Sequence, residues 1–247
     1  MENAPLDNTD LPLVLLGGTL CNARLWQPVI ERLNVTAVLC VTLTGAESAR
    51  QASQRLLSAL PPRFLLAGFS LGAIVALHMA ADAPERLSGL ALISANPLAD
   101  PPENATPRRD AVRTARAQGI VDWLVPALWQ RYVAPSRLND RALQDIICQM
   151  ASECGVTTFA QQTEIAIHRQ DNRAALGNLP CPIVILNGAQ DPICTPHHHH
   201  LLAASAANAT WHTVASGGHF IPLETPDEVA SPLRQWITEC ISCARTH

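Results

Sequence analysis

The sequence predicts an α/β fold: a mainly parallel sheet of about six strands with helices on both faces and an inserted helical cap. Short buried apolar runs alternate with helical patterns, as they do in β–α–β units. One long helical stretch, residues 97–179, interrupts that alternation. The length of 247 residues suits one domain that carries an insertion.

The predicted strands are short runs rich in leucine, valine and isoleucine, which suits a sheet that is buried on both faces. They lie at residues 11–16, 37–43, 64–69, 87–94, 183–186 and 210–214. Helical patterns lie at residues 25–33, 47–60, 72–81, 197–207 and 226–240. The last of these begins at Pro226, because proline is favoured at the first position of a helix.

Residues 1–96 and 180–247 are predicted to form the α/β core, and residues 97–179 the helical cap. The cap segment has no convincing buried strand, only helical patterns interrupted by Pro126 and Pro135. Residues 108–173 hold nine arginines and seven acids. Most of these arginines are expected on solvated helix faces. Where they face a substrate, they would favour one that carries an anionic group.

The charged residues exclude several functions. All 17 basic residues are arginines, so a lysine Schiff base, a Ser–Lys dyad and a P-loop are ruled out. The net charge of -4 argues against nucleic-acid binding. A small-molecule substrate is therefore the expected partner. No apolar run is long enough to span a membrane. Scattered cysteines and an acidic start predict a cytoplasmic protein with reduced thiols.

The candidate nucleophile is Ser70, in the run Gly68-Phe-Ser-Leu-Gly72. This run stands where a buried apolar strand leads directly into a helix. A serine on so sharp a turn exposes its hydroxyl, and the flanking glycines let the strand and the helix pass closely. The pattern and its context together predict a nucleophile elbow.

A serine hydroxyl needs a base with a pKa near neutrality, and histidine is the only suitable residue in a chain without lysine. Among nine histidines, His219 lies in a glycine-rich loop before the C-terminal helix. Asp191 follows a buried strand and completes the order Ser…Asp…His. Asp100 is the alternative carboxylate. The run His197–His200 is predicted to start a helix, with adventitious metal binding only.

An oxyanion hole needs two preorganised N–H donors, each typically worth about 2.7–4 kcal/mol of barrier. The backbone N–H of Leu71 is one candidate. The second is the N–H of Thr19, in the glycine turn that follows the first predicted strand. In the cap, the aromatic residues Trp123, Trp129 and Tyr132 are the candidate substrate-binding residues. No metal and no organic cofactor is expected.

These motifs together resemble the α/β-hydrolase-fold family, of the capped serine esterase and lactonase type. The resemblance implies that Ser70 is the nucleophile, His219 the general base and acid, and Asp191 the orienting carboxylate. It also implies that Thr19 and Leu71 donate to the oxyanion. It is carried by Gly17-Gly-Thr-Leu20, Gly68-Phe-Ser-Leu-Gly72, Gly188-Ala-Gln-Asp191 and Gly218-His-Phe-Ile-Pro-Leu-Glu224.

The chain departs from the family in the loop after the first strand. Many relatives have His-Gly where this chain has Gly17-Gly18, so the hydrogen bonds that anchor this loop are expected to differ. The predicted function is a serine hydrolase that cleaves a small carboxylic ester, lactone or thioester through an acyl-enzyme. The alternatives are a carbon–carbon bond hydrolase of a vinylogous diketone acid and, further off, a non-catalytic ligand-binding member of the fold.

Overall fold

The sheet has six strands, all parallel, in the order β2-β1-β3-β4-β5-β6. The structure is a computed structural model that describes residues 6–245. The α/β fold class is confirmed, and each strand end lies within two residues of its predicted position. The strands are β1 (Leu13–Leu16), β2 (Val38–Val41), β3 (Phe64–Phe69), β4 (Leu87–Ile93), β5 (Ile183–Gly188) and β6 (Ala209–Val214).

Helices cover both faces of the sheet, and alternate residues of each central strand point to opposite faces. In β1, Leu13 and Leu15 join one apolar cluster, with α1 and α9. Val14 and Leu16 join the other, with α2, α3 and α7. These helices are α1 (Gln27–Leu33), α2 (Ala49–Ala59), α3 (Leu71–Asp82), α7 (Pro196–Ser205) and α9 (Pro226–Arg245).

A run of three long helices lies between β4 and β5: α4 (Ala105–Gln118), α5 (Ile120–Tyr132) and α6 (Arg141–Ile167). Gly119 separates the first two, with a φ of 100° that favours glycine. Pro126 lies inside α5, so the expected interruption there is wrong. A proline removes one hydrogen bond of a helix, and here the helix continues through it. Pro135 begins a 3₁₀ turn between α5 and α6.

A short helix, α8 (Ile221–Glu224), lies between β6 and α9. It begins two residues after His219, so the predicted glycine-rich loop is short, with β6 before it and α8 after it. Within residues 6–245, no helix is both long and apolar enough to cross a membrane.

Candidate active site

Ser70 stands at a strained turn between β3 and α3. Its φ of 53° and ψ of -112° lie outside the favoured regions for a residue other than glycine. Its N–H donates to Ile93 O of the neighbouring strand at 2.9 Å. A side chain at Gly68 would collide with the backbone of Gly72, and one at Gly72 would collide with Leu16 O. Both glycines are therefore needed for the close passage that exposes Ser70.

The side chains of Ser70, His219 and Asp191 form one hydrogen-bonded series. His219 Nε2 lies 3.0 Å from Ser70 Oγ, and His219 Nδ1 lies 2.7 Å from Asp191 Oδ2. A carboxylate only accepts hydrogen bonds, so Nδ1 carries the proton and Nε2 accepts from the serine hydroxyl. His219 and Asp191 are both buried. The structure thus brings the three predicted residues together in the geometry of a base next to a hydroxyl.

Asp191 is held in its charged form. Burial acts to raise its pKa, but the charge of His219 and the hydrogen bonds to Asp191 outweigh burial and lower the pKa. Two of those bonds come from the backbone N–H groups of Ile193 and Cys194, which donate to Oδ1 at 2.7 and 2.9 Å. A carboxylate in this state can orient His219 and stabilise its protonated form.

Asp100, the alternative carboxylate, is engaged elsewhere in the cavity wall. Its oxygens accept a hydrogen bond from Arg108 Nε at 2.7 Å and form an ion pair with Arg169 Nη2 at 2.9 Å. The carboxylate that bonds to His219 is that of Asp191.

The loop that carries His219 is tied to the C-terminal end of α5. The N–H groups of His219 and Phe220 both donate to Tyr132 O, at 3.1 and 3.0 Å. Glu224 Oε2 accepts from Gly218 N at 3.2 Å and from Ala134 N at 2.7 Å. Burial raises the pKa of Glu224. No role was predicted for Glu224 from the sequence, although an acid in an apolar run is itself a signal.

The two candidate oxyanion donors line the same cavity as Ser70 and His219. In the part of the chain that the structure describes, no hydrogen bond uses the N–H of Thr19 or of Leu71. The loop after β1 is held by Gln162 of α6, which is fully buried. Gln162 Oε1 accepts from Leu20 N at 2.8 Å, and its Nε2 donates to Leu43 O at 2.9 Å. No pattern in the sequence indicates a role for Gln162.

The cavity has a volume of about 630 Å³ and is bounded by the loops after β1, β3 and β4, by α4–α6 and by the His219 loop. Trp123 and Tyr132, two of the candidate substrate-binding residues, line it. Trp129 does not: it is buried, and its indole N–H donates to Leu138 O at 3.0 Å. Trp129 thus packs inside the helical segment, and its predicted place in the pocket is corrected.

The run His197–His200 lies in the first turn of α7, as predicted. His198 Nδ1 accepts from Thr195 N at 3.0 Å, which caps the helix. His199 is fully buried; its Nε2 accepts from Ala95 N at 2.9 Å, and its Nδ1 lies 3.0 Å from Thr195 O. Burial lowers the pKa of His199 to about 4, so it is neutral at pH 7. These two histidines serve the structure of the helix.

One group of three potential metal ligands occurs in the described residues: Asp191, Cys194 and His219. The same atoms of Asp191 and His219 are hydrogen-bonded to each other, and burial raises the pKa of Cys194 well above its ordinary value. A neutral thiol is a poor metal ligand, so this donor set fits the hydrogen-bonded series better than a metal.

Comparison with known proteins identifies related sequences. The model of the alpha/beta hydrolase family matches residues 13–231. The pimeloyl-[acyl-carrier protein] methyl ester esterase of Xanthomonas oryzae pv. oryzae is 29% identical over 243 residues, covering 91% of this chain and 94% of that one. The enzyme of the same name from Serratia marcescens is 27% identical, covering 91% and 93%. The biotin biosynthesis bifunctional protein BioHC of Cellvibrio japonicus is 26% identical, but the chain spans only 47% of its length.

Solved structures are similar over nearly the whole chain. A thermophilic esterase from Thermogutta terrifontis with malate bound has a TM-score of 0.83 at 23% identity, covering 93% of this chain and 90% of that one. The enol-lactonase from Burkholderia xenovorans has a TM-score of 0.79 at 19% identity, covering 93% and 92%. These structures share the fold, and the family model covers most of the chain. The chain therefore belongs to the alpha/beta hydrolase family.

Proposed function

We propose that the chain is a serine hydrolase that cleaves a small carboxylic ester through an acyl-enzyme on Ser70. The observation that carries this proposal is the continuous series Ser70–His219–Asp191 at the wall of a cavity large enough for a small ester. The curated relatives are named methyl ester esterases of pimeloyl-[acyl-carrier protein]. A methyl ester of an acyl chain is therefore the first substrate to test, before a lactone or a thioester.

In the first half of the reaction, His219 Nε2 takes the proton of Ser70 Oγ as the oxygen attacks the ester carbonyl. The negative charge that develops on the carbonyl oxygen is stabilised by the N–H groups of Thr19 and Leu71. Asp191 holds the imidazole in the correct tautomer and balances its positive charge. His219 then gives the proton to the leaving alcohol, which leaves the acyl group on Ser70.

In the second half, water takes the place of the alcohol. His219 removes a proton from the water as its oxygen attacks the acyl-enzyme, and returns that proton to Ser70 Oγ as the acid departs. In this mechanism Gln162 and Glu224 are positioning residues. Gln162 fixes the loop of Thr19, and Glu224 fixes the loop of His219. Neither touches the reacting atoms.

Residues 97–179 act in this proposal as a cap that closes the cavity over Ser70. Its helices supply Trp123, Arg131 and Phe159 to the cavity wall. The wall shields the acyl-enzyme from bulk water and selects the acyl group. The expected partner stays a small molecule, and the expected location stays the cytoplasm.

The proposal is tested with a serine-directed fluorophosphonate. We expect one label per chain, on Ser70, and none in the variant Ser70→Ala. The control is Ser58→Ala, which removes a hydroxyl at the surface of α2 and should label like the unaltered protein. Labelling that persists in Ser70→Ala refutes the nucleophile. A vinylogous diketone acid that is cleaved faster than all esters would favour a carbon–carbon bond hydrolase.

A further inference from the structure

The cavity wall carries more positive than negative charge. Three arginines line it, Arg108, Arg131 and Arg169, and the carboxylate among its lining residues is Asp100. Arg131 is exposed at the end of α5, and it forms no ion pair within residues 6–245. Asp191, the acid of the catalytic series, is already paired with His219. A wall of this composition is suited to a ligand that brings its own negative charge.

Arg108, Arg169 and Asp100 form a compact group, which we name the arginine cluster. Arg108 binds Asp100 with two parallel hydrogen bonds, at 2.7 and 2.8 Å. Arg169 binds the same carboxylate at 2.9 Å and also donates to Leu98 O at 2.9 Å. Asp100 and Arg169 are almost completely buried, with side-chain exposures of 1% and 7%. One carboxylate neutralises one of the two guanidinium groups, so the cluster keeps one positive charge.

Asp100 is held in its charged form. Burial acts to raise its pKa, but hydrogen bonds and the charges of Arg108 and Arg169 outweigh burial and hold the pKa below its ordinary value. The extra positive charge is therefore not cancelled by any change at Asp100. Arg108 is the more exposed of the two arginines and lines the cavity, so an anion from a ligand would compensate the surplus charge.

Arg108 also has donors to spare. A guanidinium has about five N–H groups, and the hydrogen bonds of Arg108 use its Nε and Nη2. In the described part of the chain, no hydrogen bond uses Nη1. The side chain of Arg108 is about one-third exposed, at 36%, and it lines the cavity. It can therefore bind a ligand without giving up Asp100.

We propose that the arginine cluster binds a carboxylate at the far end of the substrate, so that the preferred substrates are half-esters of dicarboxylic acids. This inference rests on the proposed function, since Ser70 and the cluster line one cavity. The ester end lies at Ser70, and the free carboxylate lies at Arg108, while Arg169 keeps Asp100 paired. The single surplus charge of the cluster matches the single charge of a carboxylate, and guanidinium groups bind carboxylates through two parallel hydrogen bonds.

The test compares monomethyl esters of dicarboxylic acids of increasing length with methyl esters in which a methyl group replaces the carboxylate. The variant is Arg108→Gln, which leaves Asp100 paired with Arg169. The matched control is Arg109→Gln. Arg109 is the next residue in the sequence; it pairs with Glu164 at 2.7 Å and is not among the residues that line the cavity. We expect kcat/KM for the best half-ester to fall about 10- to 100-fold in Arg108→Gln, mainly through KM. Neutral esters should change little, and Arg109→Gln should leave both unchanged.

Two results would overturn the proposal that the arginine cluster binds a carboxylate of the substrate. One is equal kcat/KM for half-esters and neutral esters in the unaltered protein; the other is an equal loss for both in Arg108→Gln. A preference for a phosphate in place of the carboxylate would overturn the choice of anion. Binding of straight-chain dicarboxylates, measured by calorimetry in the unaltered protein and in Arg108→Gln, tests the cluster without turnover. Failure of the proposed function is recognised separately, because Ser70 would then not be labelled and no ester would be hydrolysed.

Discussion

Replacing Gln162 with leucine removes the side chain that fixes the loop after β1. Gln162 accepts from Leu20 N at 2.8 Å and donates to Leu43 O at 2.9 Å, and it is fully buried. Leucine has a similar size, so the change deletes two hydrogen bonds without opening a large cavity. Leu20 directly follows Thr19, whose N–H is a proposed oxyanion donor. The φ of Leu20 is 58°, which is unfavourable for leucine. The loop therefore depends on hydrogen bonds such as the one to Gln162 to keep this conformation.

The expected magnitude has two parts. Each backbone group left unpaired in the interior costs about 1–3 kcal/mol, so the free energy of unfolding should fall by about 2 kcal/mol or more. Loss of a whole oxyanion donor costs about 10²–10³ in kcat. Thr19 would be displaced and not removed, so we expect kcat to fall by about 10- to 100-fold. KM should change little, because the donor acts on charge that develops only in the transition state.

The assay measures kcat and KM for a neutral methyl ester, together with urea unfolding, at a temperature where each variant is folded. Gln161→Leu is the matched control, since Gln161 accepts from Gly45 N at 2.8 Å, in the loop after β2. Within residues 6–245, Gln161 forms no hydrogen bond with the loop after β1. We expect near-normal kcat in Gln161→Leu. The reasoning is refuted if folded Gln162→Leu keeps the kcat of Gln161→Leu, or if its loss of activity lies in KM alone.

Two further changes test the supporting structure. Glu224→Leu deprives Gly218 N and Ala134 N of their acceptor, so kcat should fall about tenfold or more and the free energy of unfolding by about 2 kcal/mol. Glu224→Gln keeps an accepting oxygen and should recover most of the kcat and of the stability. Equal losses in the two variants would contradict the role of that oxygen. His199 is neutral in the folded protein with a pKa of about 4, whereas the unfolded chain binds this proton below its ordinary pKa of about 6.5. The stability that neutral His199 contributes is therefore fully present above pH 6.5 and is lost as the pH falls towards 4. The free energy of unfolding should fall by about 2 kcal/mol at pH 5 and about 3 kcal/mol at pH 4. Urea unfolding of the unaltered protein and of His199→Gln between pH 7 and pH 4 measures this, and parallel curves for the two proteins would contradict it.

The sheet and the elbow of Ser70 were predictable because their signals are local. Buried parallel strands are continuous apolar runs, and the elbow needs small residues at fixed distances from the serine. The order of Ser70, Asp191 and His219 along the chain follows from their places after successive strands of one sheet. The geometry of their side chains agrees with that expectation.

The parts that sequence reasoning missed depend on contacts between distant segments. Gln162 meets Leu20 across 142 positions of the chain, and no periodic pattern announces such a pair. Trp129 was placed in the pocket because aromatic residues cluster in the cap segment, but the rotation of α5 turns its indole toward Leu138. The arginines of the cap were not distinguishable in the sequence. Their partners separate them: Arg109 pairs with Glu164, while Arg108 shares Asp100 with Arg169.

The central claim is that Ser70 carries the acyl group during turnover. Its most direct measurement is the mass of the protein after rapid acid quenching during hydrolysis of a p-nitrophenyl ester, whose activated leaving group makes acylation faster than deacylation. We predict one acyl group per chain, on the peptide that contains Ser70, and an initial burst of one equivalent of p-nitrophenolate. Hydrolysis at the normal rate with the Ser70 peptide unmodified, or with the acyl group on another residue, would contradict the account.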